Sequence, residues 1–452
     1  MKASFPDDFL FGCATASYQV EGAVCKGGRG LSIWDTFCAE PGRVLNDDNA
    51  DVSADQYHRY QEDVELMDWL GLGAYRFSVS WSRILPEGRG TVNSEGVDYY
   101  DRLIDALLEK DIEPWMTLFH WDLPQVLQAE YGGWLSPKIT DDFAAYAGIL
   151  ADKFSDRVKN FFTINEFSCF IDKGYSMGDE FDAFAPGLQV SKKELCQARH
   201  YALLAHGKAV QALRACAKQP IKIGIAENPE IHVPVIEKED DILAARKAFR
   251  ESNAHYLTAI MEGRYLDQYL EDLGEDIPEF SEAEMSTISE PLDFLGSNMY
   301  SPKLTRAADN ECGYESIPYS KSHPNMVMWW LRLGPQLTYW APRFVKELWD
   351  VDAFYITENG CAADDHLDRN GEVLDTDRLM YLRQHFLSAA RAVEEGWPLK
   401  GYFVWSLLDN FEWAHGLSRR FGITYVNFKT LERTPKLSAK WYREVIRTRR
   451  VC

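Results

Sequence analysis

Positive charge is scarce in this 452-residue sequence. Lys and Arg number 48 against 70 Asp and Glu, a formal net charge of −22. A surface that acidic repels nucleic acid and anionic membranes, so neither is expected as a partner, and neutral or cationic molecules are favoured. Solubility is the plainer reason for the charge. Apolar runs long enough to cross a membrane are missing. Ala14-Thr15-Ala16 imitates a signal-peptide cleavage site, but Asp7 and Asp8 precede the apolar run and Lys2 is its only base, so no signal peptide is expected. The nine Cys form no CxxC pair and no recurring spacing. That excludes a disulfide framework and points to reduced, inert thiols in the cytoplasm. His58, His200, His206 and His255 lack the spacing of a metal site and read as surface or helix-packing residues. Gly27-Gly28-Arg29-Gly30 lacks the spacing of a phosphate-binding turn. No cofactor and no metal are expected.

What the chain does hold is 46% apolar residues, 13% aromatic, with 14 Trp, and no low-complexity linker. A unit recurs: a short apolar run followed by a longer helical pattern. Eight such runs predict strands, at Phe9–Thr15, Ala74–Trp81, Pro114–Trp121, Phe161–Glu166, Ile221–Asn228, Leu292–Tyr300, Phe354–Asn359 and Tyr402–Leu408. Their nearly continuous apolar character suits parallel strands covered on both sides. Between them, Ser94 is placed to cap a helix, Thr140 or Asp141 starts another, and others span about Glu194–Ala217 and Asp377–Glu395. Glu237 to Asp241 reads as a solvated helix start, and Asp364 to Asp375 as a polar loop. Eight β-then-α units predict a single (β/α)8 TIM barrel with extended βα loops over residues 1–452.

Chemistry in such a barrel sits at the C-terminal ends of the strands. The residues there include Gln19, Arg76, His120-Trp121-Asp122, Asn165-Glu166, Glu227-Asn228, Asn298-Met299-Tyr300, Glu358-Asn359, and Trp405 followed by Glu412 and Trp413. Carboxylates, amides, one His and several indoles suit a polyhydroxylated ring: amides and carboxylates for hydroxyls, indoles for the C–H face. Glu166 and Glu358 end the fourth and seventh runs, so both tips can face one opening. Cleaving an acetal needs a proton for the leaving oxygen and a second carboxylate at the cationic carbon. Glu166 as acid and Glu358 as nucleophile, the latter kept ionised by Arg76, is the preferred assignment. Spacing alone allows the reverse, and also a pair of structural salt bridges.

At these residues the sequence resembles family-1 glycoside hydrolases of the retaining β-glucosidase type. The resemblance runs through Ala14-Thr15-Ala16-Ser17-Tyr18-Gln19-Val20-Glu21-Gly22, Tyr75-Arg76-Phe77-Ser78, Leu118-Phe119-His120-Trp121-Asp122-Leu123-Pro124 and Thr163-Ile164-Asn165-Glu166. It continues through Asn298-Met299-Tyr300, Ile356-Thr357-Glu358-Asn359-Gly360, Trp405 to Trp413, and Arg420-Phe421-Gly422-Ile423. The resemblance implies Glu166 as acid/base and Glu358 as nucleophile. It implies that Asn165 bonds the sugar 2-hydroxyl, that Gln19, His120 and Glu412 hold outer hydroxyls, and that Trp405 lies under the ring with Trp413 beside it. Trp121, Asn298, Tyr300 and Phe421 complete the implied substrate site, with Arg76 supporting the nucleophile.

The implied function is an exo-acting β-glucosidase that releases terminal glucose from cellobiose, short cello-oligosaccharides or aryl β-glucosides by double displacement, with room for β-galactosides and fucosides. A 6-phospho-β-glucosidase is the alternative enzyme, disfavoured because Glu412 stands where a phosphate would go. A sugar-binding barrel without catalysis is the alternative of another class. The sequence departs from the family just past the acid, where Phe167 and Ser168 replace the usual Pro and Trp. Trp329 or Trp330 is the candidate aromatic on the leaving-group side.

Overall fold

A computed structural model describes residues 3–176 and 183–452. Eight parallel strands close into a barrel: β1 (Leu10–Ala14), β2 (Ala74–Ser78), β3 (Glu113–Phe119), β4 (Asn160–Asn165), β5 (Lys222–Glu227), β6 (Leu295–Asn298), β7 (Phe354–Asn359) and β8 (Leu399–Trp405). Each pairs with its neighbours in chain order, and β8 closes on β1 with Ala14 opposite Trp405. The expected fold class is the observed one. The outer ring is α1 (Gln56–Leu70), α2 (Ser94–Glu109), α3 (Lys138–Phe154), α4 (Lys192–Cys216), α5 (Glu239–Ser252), α6 (Leu337–Trp349), α7 (Thr376–Glu394) and α8 (Leu437–Thr448). Among the described residues no helix is long and apolar enough to cross a membrane.

The strands are apolar because side chains fill both of their faces. Trp115 of β3 occupies the lower barrel, with ring centroids 5.7 Å from Phe162, 5.3 Å from Phe294, 4.8 Å from Tyr355 and 5.4 Å from Phe403. Each such ring pair contributes about 0.5–1.5 kcal/mol beyond the area it buries. The Arg76 guanidinium lies over the Phe162 ring at 5.0 Å. This aromatic plug is the floor on which the polar layer rests.

Element boundaries shift where local chemistry overrides apolar pattern. The second run stops at Ser78, and Trp81 begins a short helix, Trp81–Ile84, with its ring stacked on Tyr146 at 4.8 Å. Trp81 is therefore core, not a strand tip facing the site. Asn93, not Ser94, precedes α2, and it spends its amide on the carbonyls of Gly27 and Arg83. α4 starts two residues early because Ser191 and Glu194 form a reciprocal capping box.

Two acidic stretches are largely exposed, as expected, but each buries part of its charge. Asp241, in the first turn of α5, is buried and accepts the Ala307 amide at 3.0 Å. Asp365 and Asp375 are tied to Arg378, and Lys436 bridges Asp365 at 2.6 Å to Asp409 at 2.7 Å. Lys436 is fully enclosed. A charge so placed is tolerated only when paired, and the cluster fastens the loop after β8 to the loop after β7.

The enlarged βα loops carry further structure. His232–Pro234, Lys303–Ala307 and Tyr314–Ile317 make a small sheet over β5 and β6, and Thr424–Val426 pairs with Arg433–Pro435 beyond β8.

Candidate active site

A cavity of about 350 Å³ opens at the C-terminal end of the barrel, the size of a small-ligand site. Its walls include His120, Trp121, Glu166, Tyr300, Glu358, Trp405, Glu412, Trp413 and Phe421. Sequence reasoning selected all nine. Cys169, Lys173, Phe184, Asn228, Trp329 and Trp330 also line it.

Glu166 follows the last residue of β4. Its backbone is left-handed, φ 48°, and it precedes the helix Phe167–Tyr175. A non-glycine residue adopts that conformation at a cost of about 1–3 kcal/mol unless its surroundings hold it. The turn swings the carboxyl into the cavity. There Asn298 Nδ2 donates to Oε1 at 2.5 Å and the Cys169 thiol to Oε2 at 2.9 Å. Both donors are neutral. Burial drives the Glu166 pKa up, against the pull of the Cys169 and Asn298 hydrogen bonds and of the more distant Lys173 and Arg76 charges.

Glu358 lies within β7. Arg76 Nη1 donates to its Oε1 at 2.7 Å and the Tyr300 hydroxyl to its Oε2 at 2.8 Å. Burial and the nearby Glu166 push this carboxyl up as well, while the Arg76 charge pulls against both. The two acids therefore differ in kind: Glu358 has a cationic partner and Glu166 does not. That contrast favours the ionised state at Glu358 and the protonated state at Glu166.

A hydrogen-bonded chain joins the pair. Arg76 Nη2 donates to Asn165 Oδ1, and Asn298 Nδ2 donates to the same oxygen at 3.0 Å. Arg76, Asn165 and Asn298 thus link the two acids and aim them. With its oxygen occupied, Asn165 turns its NH2 to His120 Nε2 at 3.2 Å. The imidazole is therefore an acceptor there and carries its proton on Nδ1. Burial and the Arg76 charge hold His120 well below the usual imidazole range, so it is neutral.

Three of the expected hydroxyl binders keep unsatisfied atoms. Gln19 Oε1, His120 Nδ1 and Glu412 Oε2 are buried with no partner among the described residues. An unpaired buried polar atom costs about 1–3 kcal/mol, so a ligand that completes such atoms is strongly favoured. Gln19 is oriented by its own amide, which donates to Asn410 Oδ1 at 3.2 Å and to the Phe411 carbonyl at 2.7 Å. Burial raises the Glu412 carboxyl to about 8, and the Glu358 and Glu166 charges add to that. The rings are stacked close by: His120 on Trp405 at 5.8 Å and on Trp413 at 5.9 Å, with Trp121 4.4 Å from Trp413. Trp121 and Trp413 both have positive φ, 77° and 47°. Trp121 also donates its indole N–H to the Asn165 carbonyl at 2.8 Å.

On the opposite side, Trp330 meets Tyr300 edge-on at 5.7 Å and Trp329 is two-thirds exposed at the rim. Cys169 was legible in principle, three residues beyond Glu166 on a helix and so on the same face. Phe184 and Lys173 had no pattern to reveal them. Glu21, at the first strand end, turns away to pair with Arg83 at 2.9 Å.

The chain is similar to known proteins over its whole length. The family profile described as Glycosyl hydrolase family 1 matches residues 1–451. Beta-glucosidase A of Thermotoga maritima is 45% identical over 444 residues, 98% of each chain. A 1,4-beta-D-glucan glucohydrolase of Thermotoga neapolitana is 44% identical over 447 residues, again 98% of each. Among solved structures, beta-glucosidase from Thermotoga maritima in complex with glucoimidazole superposes with a TM-score of 0.89 at 44% identity, covering 99% of both chains. The same Thermotoga enzyme in complex with galacto-hydroximolactam gives a TM-score of 0.89 at 42% identity over the full length of both.

Proposed function

The chain belongs to glycosyl hydrolase family 1, and from that premise we propose how its residues carry out the reaction. It is an enzyme, a β-glucosidase that acts on terminal β-D-glucosyl residues. Glu358 attacks the anomeric carbon while Glu166 gives its proton to the departing glycosidic oxygen. A glucosyl ester on Glu358 forms and the leaving group departs as an alcohol. Glu166, now anionic, takes a proton from water. That water attacks the same carbon, the ester bond breaks, and β-glucose leaves with its configuration retained.

The observation that carries this reading is the hydrogen-bonded chain from Glu358 through Arg76, Asn165 and Asn298 to Glu166, with both carboxyls facing one cavity. Gln19, His120 and Glu412 take the outer hydroxyls of the sugar. Trp405 takes its C–H face with Trp413 beside the outer hydroxyls, and the second hydrogen of the Asn165 NH2 serves the 2-hydroxyl. Trp121 and Phe421 close the wall. Substrates are cellobiose, short cello-oligosaccharides and aryl β-glucosides, in keeping with the glucan glucohydrolase relative. The galacto-configured inhibitor bound by the Thermotoga enzyme supports tolerance of β-galactosides.

Arg420, a cation of the loop after β8, is bonded to Asp409 at 2.5 Å and packed on Tyr425 and Phe428, so it is committed elsewhere than to a phosphate. The barrel and its loops act as one catalytic unit. All nine Cys are free thiols, which supports a reducing, cytoplasmic setting.

The test is Glu358→Ala with added azide. We expect activity to fall by several orders of magnitude and azide to restore turnover with an α-glucosyl azide product. Loss without rescue, or an inverted sugar from the parent enzyme by NMR, overturns the mechanism.

A further inference from the structure

The tip of β5 grips the turn that carries Glu166. The Glu166 amide donates to the Ala226 carbonyl at 2.8 Å. The Phe167 amide donates to Glu227 Oε2 at 3.0 Å, and Ser168 Oγ to Asn228 Oδ1 at 3.1 Å. Asn228 Nδ2 reaches Cys169 Sγ at 3.6 Å, and that thiol bonds Glu166. Four consecutive residues, 166 to 169, are thus each held by residues 226 to 228. Glu227 itself is buried, only 3% exposed, and lies behind the cavity wall.

This arrangement coincides with the departure seen in the sequence. A proline after Glu166 would have no N–H. Phe167 has one, at the first position of a helix, where backbone donors lack intrahelical partners. Buried and unpaired, it would destabilise a turn already bent to a φ of 48°. Glu227 supplies its acceptor.

We infer that Glu227 is a positioning residue for proton donation: by binding the Phe167 amide it keeps the Glu166 carboxyl aimed at the leaving oxygen. The inference rests on Glu166 being the acid. Glu227 does not line the cavity, so its removal affects the steps that Glu166 serves as acid or base and spares sugar binding. Displacement of a reacting group by about 1 Å costs roughly 100-fold in rate.

The experiment measures kcat and KM on a series of aryl β-glucosides and on cellobiose, with Glu227→Leu, Glu227→Gln, Glu166→Gln and the parent. Leu keeps the bulk and removes the acceptor, whereas Gln keeps an acceptor oxygen. For Glu227→Leu we expect kcat/KM, which reports the glycosylation step, to drop about 10- to 100-fold on cellobiose and on phenols of high pKa and to stay within about threefold of the parent on 2,4-dinitrophenyl glucoside. Glu227→Gln should stay within about threefold on every substrate. In a Phe167→Pro background, where the donor is gone, Glu227→Leu should add no more than about threefold.

An equal loss on all leaving groups, a Gln variant as impaired as Leu, or an unimpaired Leu variant overturns the inference. Failure of the underlying reading looks different: Glu166→Gln itself would then show no dependence on leaving group. Should Glu227→Leu alone not fold, the double variant Phe167→Pro/Glu227→Leu decides: with the donor gone it must keep kcat/KM on cellobiose within about threefold of Phe167→Pro, and a loss of about 10- to 100-fold there overturns the inference.

Discussion

Arg76 reaches from β2 across the barrel floor to place Nη1 2.7 Å from Glu358 Oε1. The same guanidinium also bonds Thr117 Oγ1, the Thr357 carbonyl and Asn165. It is both the counter-charge of one acid and the structural link to the other. Arg76→Gln should therefore do two things. Removing a buried charge partner costs about 2–5 kcal/mol, so kcat/KM should fall at least about 30-fold. Arg76 lowers the Glu358 pKa, so its loss raises that pKa. The nucleophile works as an anion, and the acidic limb of the kcat/KM profile should move to higher pH.

Glu166→Gln should leave that limb in place. At the pH where Glu358 ionises, Glu166 still holds its proton, so a neutral amide replaces a neutral acid. Measured on 2,4-dinitrophenyl glucoside, which leaves without protonation, the acidic limb should coincide with the parent's. On cellobiose the same variant should lose about 10²–10⁴-fold in kcat, the usual worth of general acid catalysis.

The buried unpaired atoms of Gln19, His120 and Glu412 predict sharp discrimination against missing hydroxyls. A site built to bond a hydroxyl rejects the analogue lacking it by up to about 10⁴-fold. Within a panel of monodeoxy glucosides, the analogue lacking the Gln19 partner should lose at least about 100-fold in kcat/KM. In Gln19→Ala the gap between that analogue and glucoside should nearly close.

Stability should vary with pH through Glu227. Burial, then the charges of Glu166 and Asp172, lift this carboxyl from the ordinary 4.5 to about 8. A raised acid stabilises the fold while protonated. Its contribution is complete below 4.5 and is lost as pH rises through about 8. Glu227→Gln lacks the ionisation, so its Tm relative to the parent should rise between those limits and level off above them. A parallel dependence in both proteins would refute it.

Lys436, enclosed between Asp365 and Asp409, offers a fifth handle. Lys436→Met leaves two buried carboxylates short of a partner, and such losses cost about 3–5 kcal/mol. Chemical denaturation should show that drop. KM for cellobiose should rise as well, because Asp409 also binds the Gly422 amide and Arg420 and so orders the loop that bears Glu412.

Much of this was readable in advance, for a definable reason. A parallel strand buried on both faces must be apolar along its length, and the first polar residues after it must meet the barrel mouth. Glu166, Glu358, His120 and Trp405 could thus be found by position in the chain. Trp81 misled because an apolar residue after a strand looks the same whether the chain continues extended or turns into a helix. Asp365 and Asp375 misled because carboxylates in a loop look solvated until Arg378 and Lys436, distant in sequence, close on them.

The order of apolar runs and strand-end polar groups was enough to specify a barrel with two acids at one rim. Which ring nitrogen of His120 carries the proton, that the Cys169 thiol bonds Glu166, and that Glu227 answers the Phe167 amide were decided by the folded chain alone. The reason is range. Strand character and polar tips are properties of a few adjacent residues. Charge pairing, desolvation and hydrogen-bond completion depend on distances of a few ångströms between residues that lie tens to hundreds of positions apart.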